Sequence, residues 1–369
     1  MSERRWRVGI VGLEPGRSWA SIAHLPALRA LDSTFEVVGV ANSSKESSEA
    51  AAKAAGLPRA FANVAELVES PDVDIVAVTV KVPHHHAIVS AAIRAGKHIY
   101  CEWPLGNGLQ EARELAELAR NAGVHAVIGT QARFAPAICQ MRDLLADGYA
   151  GDILSTTLIG TGMNWGAEVA QANAYTYEAA NGATMLSIPV GHTLAALIET
   201  LGNIAEVSAT MAVRRTSVHN MDTGETLPVT AADQIVVAGV LDSGAPISIH
   251  YRGGMAHGSG LLWEVNGTEG DLRISGPGGH AQLVPLTLSG GRGNDVELKP
   301  IPLAENYAAD STDGPVAGNV RRVYQAMAQD LANDTRLAPG FDDAVALHRV
   351  VAAIEEAART GGRVRPDSL

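Results

Sequence analysis

The chain has only two cysteines, Cys101 and Cys139, in 369 residues. That is too few for a disulfide framework or, by themselves, a structural zinc site, and it fits a reducing compartment. Aromatic residues make up 4% of the sequence, so aliphatic side chains and alanine must fill the core. No basic run offsets the 40 acidic against 28 basic residues, a formal charge of −12. A surface of that sign repels a phosphate backbone, so direct nucleic-acid binding is not expected. No stretch approaches the ~18 apolar residues of a membrane span. The opening residues lead straight into a strand pattern from Trp6, and a cytosolic protein without membrane contact is expected.

What is present is enough apolar sequence, 46%, to bury a sizeable core. The length exceeds what one core usually organises, so two domains are expected. Over residues 1–130, short β-branched runs alternate with amphipathic helical patterns, the grammar of βαβ units and a doubly wound parallel sheet. Strands are expected at Arg7–Val11, Phe35–Ala41, Ile75–Val80, His98–Cys101 and Ala126–Gly129. Helices are expected at Ser21–Leu31, Lys45–Ala55, His85–Ala95 and Leu109–Asn121.

Over residues 131–369 the grammar changes. A helix at Pro136–Ala146 is followed by alternating runs at Ile153–Ile159, Ile204–Val213, Asp233–Leu241, Ile247–Tyr251, Leu261–Val265 and Asp271–Ile274. Tight-turn residues at 242–244 and 266–270 join neighbours as hairpins. This predicts an α+β domain with a large, mostly antiparallel open sheet, then an irregular Gly- and Pro-rich connection over Ser275–Pro315, then helices at Asn319–Asn333 and Asp342–Thr360. The broad sheet face offers a surface for a homodimer or homotetramer.

The first strand runs into Gly9-Ile-Val-Gly12-Leu13-Glu14-Pro-Gly16-Arg-Ser18-Trp19. Glycine here lets backbone approach a pyrophosphate at a helix start. Glu14 stands where the second glycine of G-x-G-x-x-G would fall, so the loop reads either as a variant dinucleotide turn or as an ordinary βα turn. After the second strand come Asn42, Ser43, Ser44 and Lys45. The absence of a carboxylate there leans toward NADP over NAD, while Ser43 or Ser44 also suits a helix N-cap. In Val80-Lys-Val82-Pro-His84-His85-His86 the adjacent histidines point in different directions, so no metal site is expected. Glu102 and Trp103 fall at the carboxyl edge of the sheet, where ligands of such folds bind.

These motifs, with Ala95-Gly-Lys-His98, Cys101-Glu-Trp-Pro-Leu105, Gln131-Ala-Arg-Phe-Ala-Pro136 and Gly340-Phe-Asp-Asp-Ala344, make the chain resemble the glucose-fructose oxidoreductase and inositol dehydrogenase (Gfo/Idh/MocA) family. Gly191-His-Thr-Leu194, Ser248-Ile-His250-Tyr-Arg252-Gly-Gly254 and Gly318-Asn-Val-Arg-Arg-Val-Tyr324-Gln325 are more similar to the branch containing the fungal galactose-regulon repressor. The resemblance implies a Rossmann domain holding NAD or NADP, and hydride transfer to or from a sugar, polyol or sugar-derived acid. For the repressor-like branch it implies a catalytically silent nucleotide- or sugar-binding regulator instead.

Residues expected at the cofactor are Gly12, Leu13, Gly16, Ser18 and Trp19 from the first loop, and Asn42, Ser43, Ser44 and Lys45 from the second. Val80, Val82, His85, Glu102, Trp103 and Gln131 complete that set. The family's Glu-Lys-Pro lysine is replaced by Trp103, and its helical Asp-x-x-x-His pair by Ser187 and Gly191, with His192 displaced by one position. One helical position is about 100° of rotation, so His192 inherits the catalytic role only if the helix around Pro189 and Gly191 is distorted. Otherwise it is a structural histidine. Trp103, Asn164, Trp165, Tyr175 and His192 are the expected contacts to a carbohydrate-like substrate, with inter-domain packing the alternative for the aromatics. Glu102 reads as a positioning group, and His250 and Arg252 as sheet surface.

Overall fold

The computed structural model describes residues 5–255, 257–308 and 314–369. It divides into two compact units, Met1–Thr130 with Val316–Val345, and Gln131–Pro315 with Ala346–Leu369.

The first unit holds β1 (Trp6–Val11), β2 (Phe35–Ala41), β3 (Ile75–Val78), β4 (His98–Glu102) and β5 (Ala126–Gly129), ordered β2-β1-β3-β4-β5. Every pairing is parallel. All four residues of β3 are buried, as a strand covered on both faces requires. The intervening helices are α1 (Leu25–Arg29), α2 (Lys45–Ala55), α3 (Val64–Glu69), α4 (His85–Arg94) and α5 (Leu109–Ala122). The sequence spells out α2 at both ends. Ser44 and Ser47 cap its start reciprocally, and Gly56 ends it at φ +63°, as a left-handed C-cap requires.

The expected first helix is instead a π-turn, Ala20–His24, leading into α1. Pro26 has no N–H to continue the α-helical ladder, and the Leu25 amide bonds Ala20 O, five residues back.

The second unit opens with α6 (Pro136–Ala146) and carries α7 (Gly191–Leu201) and α8 (Glu305–Ala308). Its strands are β6 (Ile153–Thr161), β7 (Glu168–Val169), β8 (Ile204–Ala212), β9 (Ser217–Asn220), β10 (Thr226–Pro228), β11 (Gln234–Leu241), β12 (Pro246–Arg252), β13 (Leu261–Gly267), β14 (Gly270–Gly276), β15 (Thr287–Arg292) and β16 (Lys299–Pro300). Eight form one sheet, β16-β15-β14-β13-β6-β12-β11-β8. It is antiparallel except where β12 runs parallel to β6. Alternation sends Ile247, Ile249 and Tyr251 of β12 into the core and leaves Pro246 and Ser248 exposed. The short strands β7, β9 and β10 form a separate sheet, closed over Val169, Tyr177, Val218 and Val229.

Two further expectations change. The stretch Ser275–Pro315 is not all irregular, because β15 and β16 extend the large sheet by backbone pairing despite their glycines. Residues 309–313 of that stretch lie outside the described residues. The division at residue 130 is also not the whole boundary, since Val316–Val345, expected with the second domain, packs with the first. This segment comprises most of α9 (Gly314–Asn333) and the start of α10 (Phe341–Thr360). The Ile128 amide donates to Pro339 O at 2.8 Å, and Val127 bridges Gly340, so the segment covers the open edge of β5. The Asp330 carboxylate fixes the intervening turn by accepting from Leu337 and Ala338 amides at 2.7 and 2.8 Å. No helix among the described residues is long and apolar enough to cross a membrane.

Candidate functional site

The chain leaves β1 for β2 on one side and returns to β3 on the other, which makes a crevice at the carboxyl ends of these strands. Register brings Val11 beside both Ala41 and Val78. Immediately beyond, Gly12 sits at φ +96°, and a Cβ there would lie 2.6 Å from Val80 Cγ1, so only glycine fits. Asn42 ties the first two loops together. It accepts the Leu13 amide at 2.8 Å and donates to Leu13 O at 2.9 Å and Ser47 O at 3.1 Å. The Thr79 hydroxyl adds bonds to Val11 O at 2.9 Å and Gly12 O at 3.0 Å.

Between these loops lies a cleft of about 1000 Å³, wholly within the first unit. One wall is aliphatic, with Ala50, Ala54, Val64, Ala87 and Ile88; polar groups at the cleft include Ser18, Ser43, Lys81 and His84. A flat apolar base against the first and a charged linker near the second would fit an elongated dinucleotide. The loop amides do less than expected. Those of Gly12, Leu13, Glu14 and Gly16 donate to Ala41 O, Asn42 Oδ1, Ser18 Oγ and Ser21 Oγ. Gly12 therefore serves close approach, and the first loop's own amides are engaged within the protein.

Of the residues expected at the cofactor, Gly12, Leu13, Ser18, Asn42, Ser43 and Val80 line the cleft. Gly16 is an exposed loop residue at φ +74°, and Trp19 Nε1 is buried without a hydrogen-bond partner among the described residues. Ser44 caps α2, and Lys45 Nζ lies 3.8 Å from Glu49. Val82 and Trp103 are buried, as is Gln131, which belongs to the second unit. His85 requires a correction. It faces the interior, with Nε2 2.9 Å from Val80 O and Nδ1 2.8 Å from Pro104 O. Burial lowers its pKa more than these carbonyls raise it, so its role is to pin the loop behind the cleft. Its neighbours diverge as expected: His84 lines the cleft and His86 Nε2 lies 3.0 Å from Glu114. Sequence reasoning missed the aliphatic wall, which only the stacking of α2, α3 and α4 assembles.

In the second unit Trp165 also requires correction as a sugar platform. It is 2% exposed, its indole N–H donates to Thr176 O at 2.9 Å, and its ring stacks on His280. Asn164 and Tyr175 are half-buried. His250 and Arg252 sit half-buried on β12.

His192 is buried, and its Nδ1 has no hydrogen-bond partner among the described residues. Burial, then neighbouring His280, push its pKa down to about 3. Before it, Leu186–Val190 is a π-turn containing Pro189, and the Val190 amide bonds Met185 O, five residues back. Ser187 and His192 are five residues apart, the spacing that a π-turn aligns. The hydroxyl of Ser187 donates to Gly182 O at 2.7 Å.

Residues 6–130 match a family described as the oxidoreductase family with an NAD-binding Rossmann fold, and residues 136–276 match the Gal80p C-terminal domain. A dehydrogenase of Aspergillus oryzae, aclE, is 31% identical, with 97% of each chain covered. The galactose/lactose metabolism regulatory protein GAL80 of Saccharomyces cerevisiae is 27% identical over 98% of this chain and 95% of its own. The crystal structure of a super-repressor mutant of that yeast protein superposes with a TM-score of 0.89 at 25% identity, covering 98% of both chains. With a parallel Rossmann sheet, a glycine-floored cleft at its switch point and a second unit built on an eight-stranded sheet, the chain belongs to the Gfo/Idh/MocA oxidoreductase family, with an NAD-binding fold joined to a domain of the Gal80p type.

Proposed function

We propose that the protein is an NAD(P)-dependent oxidoreductase that transfers hydride to or from a carbon of a sugar, polyol or sugar-derived acid. The observation that carries this reading is the cleft at the switch point, with its Gly12 floor and aliphatic wall. Ser43, Ser18 and Lys81 would hold the dinucleotide's polar parts, and the Ala50–Ala54 face its adenine. When bound, the coenzyme supplies or accepts the hydride. The same surroundings support NADP as the favoured form, because Asn42, Ser43, Ser44 and Lys45 place no carboxylate against a 2′-phosphate.

His192 is the proposed acid–base residue. Its low pKa leaves the ring uncharged at neutral pH, so it can accept a hydrogen bond from a substrate hydroxyl without first losing a proton. Trp103 of the first unit and Asn164 of the second are each proposed as substrate contacts. The open face of the large sheet, where Val236 is 44% exposed, is the proposed homo-oligomer contact.

The test is a titration with NADPH and NADH followed by a carbohydrate panel monitored through reduced-nicotinamide absorbance. Turnover is expected, with His192→Asn lowering kcat/KM by about 100-fold or more and leaving coenzyme affinity unchanged. Ser43→Asp should weaken NADPH about ten-fold relative to NADH.

One observation favours a second reading: Trp103 stands where the family's enzymes carry lysine. Saturable coenzyme binding without turnover on any sugar would favour a nucleotide-binding regulator, in line with the regulatory role in the GAL80 relative's name.

A further inference from the structure

Behind the cleft, three polar side chains from distant parts of the sequence meet inside the first unit. His24, on the π-turn after the glycine loop, is fully buried. Its Nε2 lies 2.8 Å from Glu102 Oε1 at the end of β4, and its Nδ1 lies 2.8 Å from the Tyr324 hydroxyl on α9.

A carboxylate accepts, so Nε2 is the donor to Glu102, while the Tyr324 hydroxyl, able to donate or accept, meets Nδ1. Burial and the neighbouring Glu102 raise the Tyr324 pKa and keep its O–H in place. Packing fixes the rings as well. Tyr100 lies edge-on to His24 with centroids 4.9 Å apart and packs on Tyr324 at 4.6 Å, while Phe35 meets Tyr324 at 5.4 Å.

Apolar side chains would fill this volume with less desolvation cost. A trio that includes a carboxylate with 12% side-chain exposure instead resembles the supporting layer of a ligand site. Sheet order supplies the ligand's direction. The adenosine end belongs beside β2 and the diphosphate over Gly12. β4 lies on the opposite side of β1 from β2, so an extended dinucleotide brings its nicotinamide half toward the ends of β3 and β4.

We propose that His24 and Tyr324 are positioning residues that aim the Glu102 carboxylate at a hydroxyl or carboxamide N–H on the nicotinamide half of the coenzyme. The proposal rests on the dinucleotide reading and adds to it two residues that touch no ligand.

The test compares affinities for NADPH, NADH and ADP, the last lacking the nicotinamide half, in the wild type and three variants. Glu102→Gln and Tyr324→Phe should each weaken the dinucleotides about ten-fold and leave ADP unchanged. Phenylalanine keeps the ring packing, and ADP binding reports on folding. Because Tyr324 acts through Glu102, Tyr324→Phe should add nothing in the Glu102→Gln background. Equal losses for ADP and dinucleotide, multiplicative losses in the double variant, or no loss at all would overturn the positioning role while leaving the dinucleotide reading intact. Failure of the wild type to bind any of the three would overturn that reading, and this proposal with it.

Discussion

Buried His24 of the first unit and buried His192 of the second are held in opposite ways. In the first, His24 and Asn42 each bond partners from distant loops. In the second, His192 is buried with Nδ1 lacking a partner among the described residues, beside a second buried imidazole, His280. A satisfied network fixes a shape, whereas an unsatisfied group is held in readiness by the packing around it. The first unit presents a cleft, and the second keeps an uncharged imidazole away from water.

The harshest challenge to that contrast is Gly12→Val. Positive φ and overlap with Val80 should together cost about 4 kcal/mol and abolish coenzyme binding, measured by thermal unfolding and NADPH titration. A stable variant that binds normally would mean the cleft floor is not rigid.

Acidification probes the second unit. Burial pushes His192 from 6.5 to about 3 and His280 to about 4. Between those values and 6.5 the unfolded chain binds protons that the folded chain refuses, so stability is full above pH 6.5 and falls as pH drops. His192→Gln and His280→Gln should each reduce the loss between pH 6.5 and 5 by about 2 kcal/mol, read from urea unfolding at a series of pH values. An unchanged slope would show that these rings are not held neutral.

The mildest change sharpens the first unit's side. Ser44→Ala removes the cap of α2 and should cost about 1 kcal/mol in unfolding with little change in coenzyme selectivity. A large drop in NADPH affinity would make Ser44 a ligand contact as well as a cap.

The framework of the first unit was legible because its signals are local. The β-branched run Phe35–Ala41 and the boundaries Ser44 and Gly56 each specify an element without help from elsewhere. The three-stranded sheet was not legible, since strands as short as Glu168–Val169 have no period to detect. Nor was β15, whose Gly290 and Gly291 pair through backbone alone. At the site, Gly12 announced itself by type and position. The burial of Trp165 did not, because an indole that stacks on a sugar and one that fills a core are identical in sequence. Glu102 was legible as a positioning group, but its partners His24 and Tyr324 were not, because folding alone brings residues 24 and 324 together. The π-turn before His192 was foreshadowed only by Pro189, which the sequence reading tied to a possible distortion without giving its form.

The pairing of Ile128 with Pro339 bears on how the protein emerges from the ribosome. A nascent chain that has delivered all five parallel strands still exposes the β5 margin, and Tyr324 has not yet been synthesised. The coenzyme-binding half must wait until residues as late as Val345 have been translated, leaving a long interval in which a chaperone's cover over that margin would matter most.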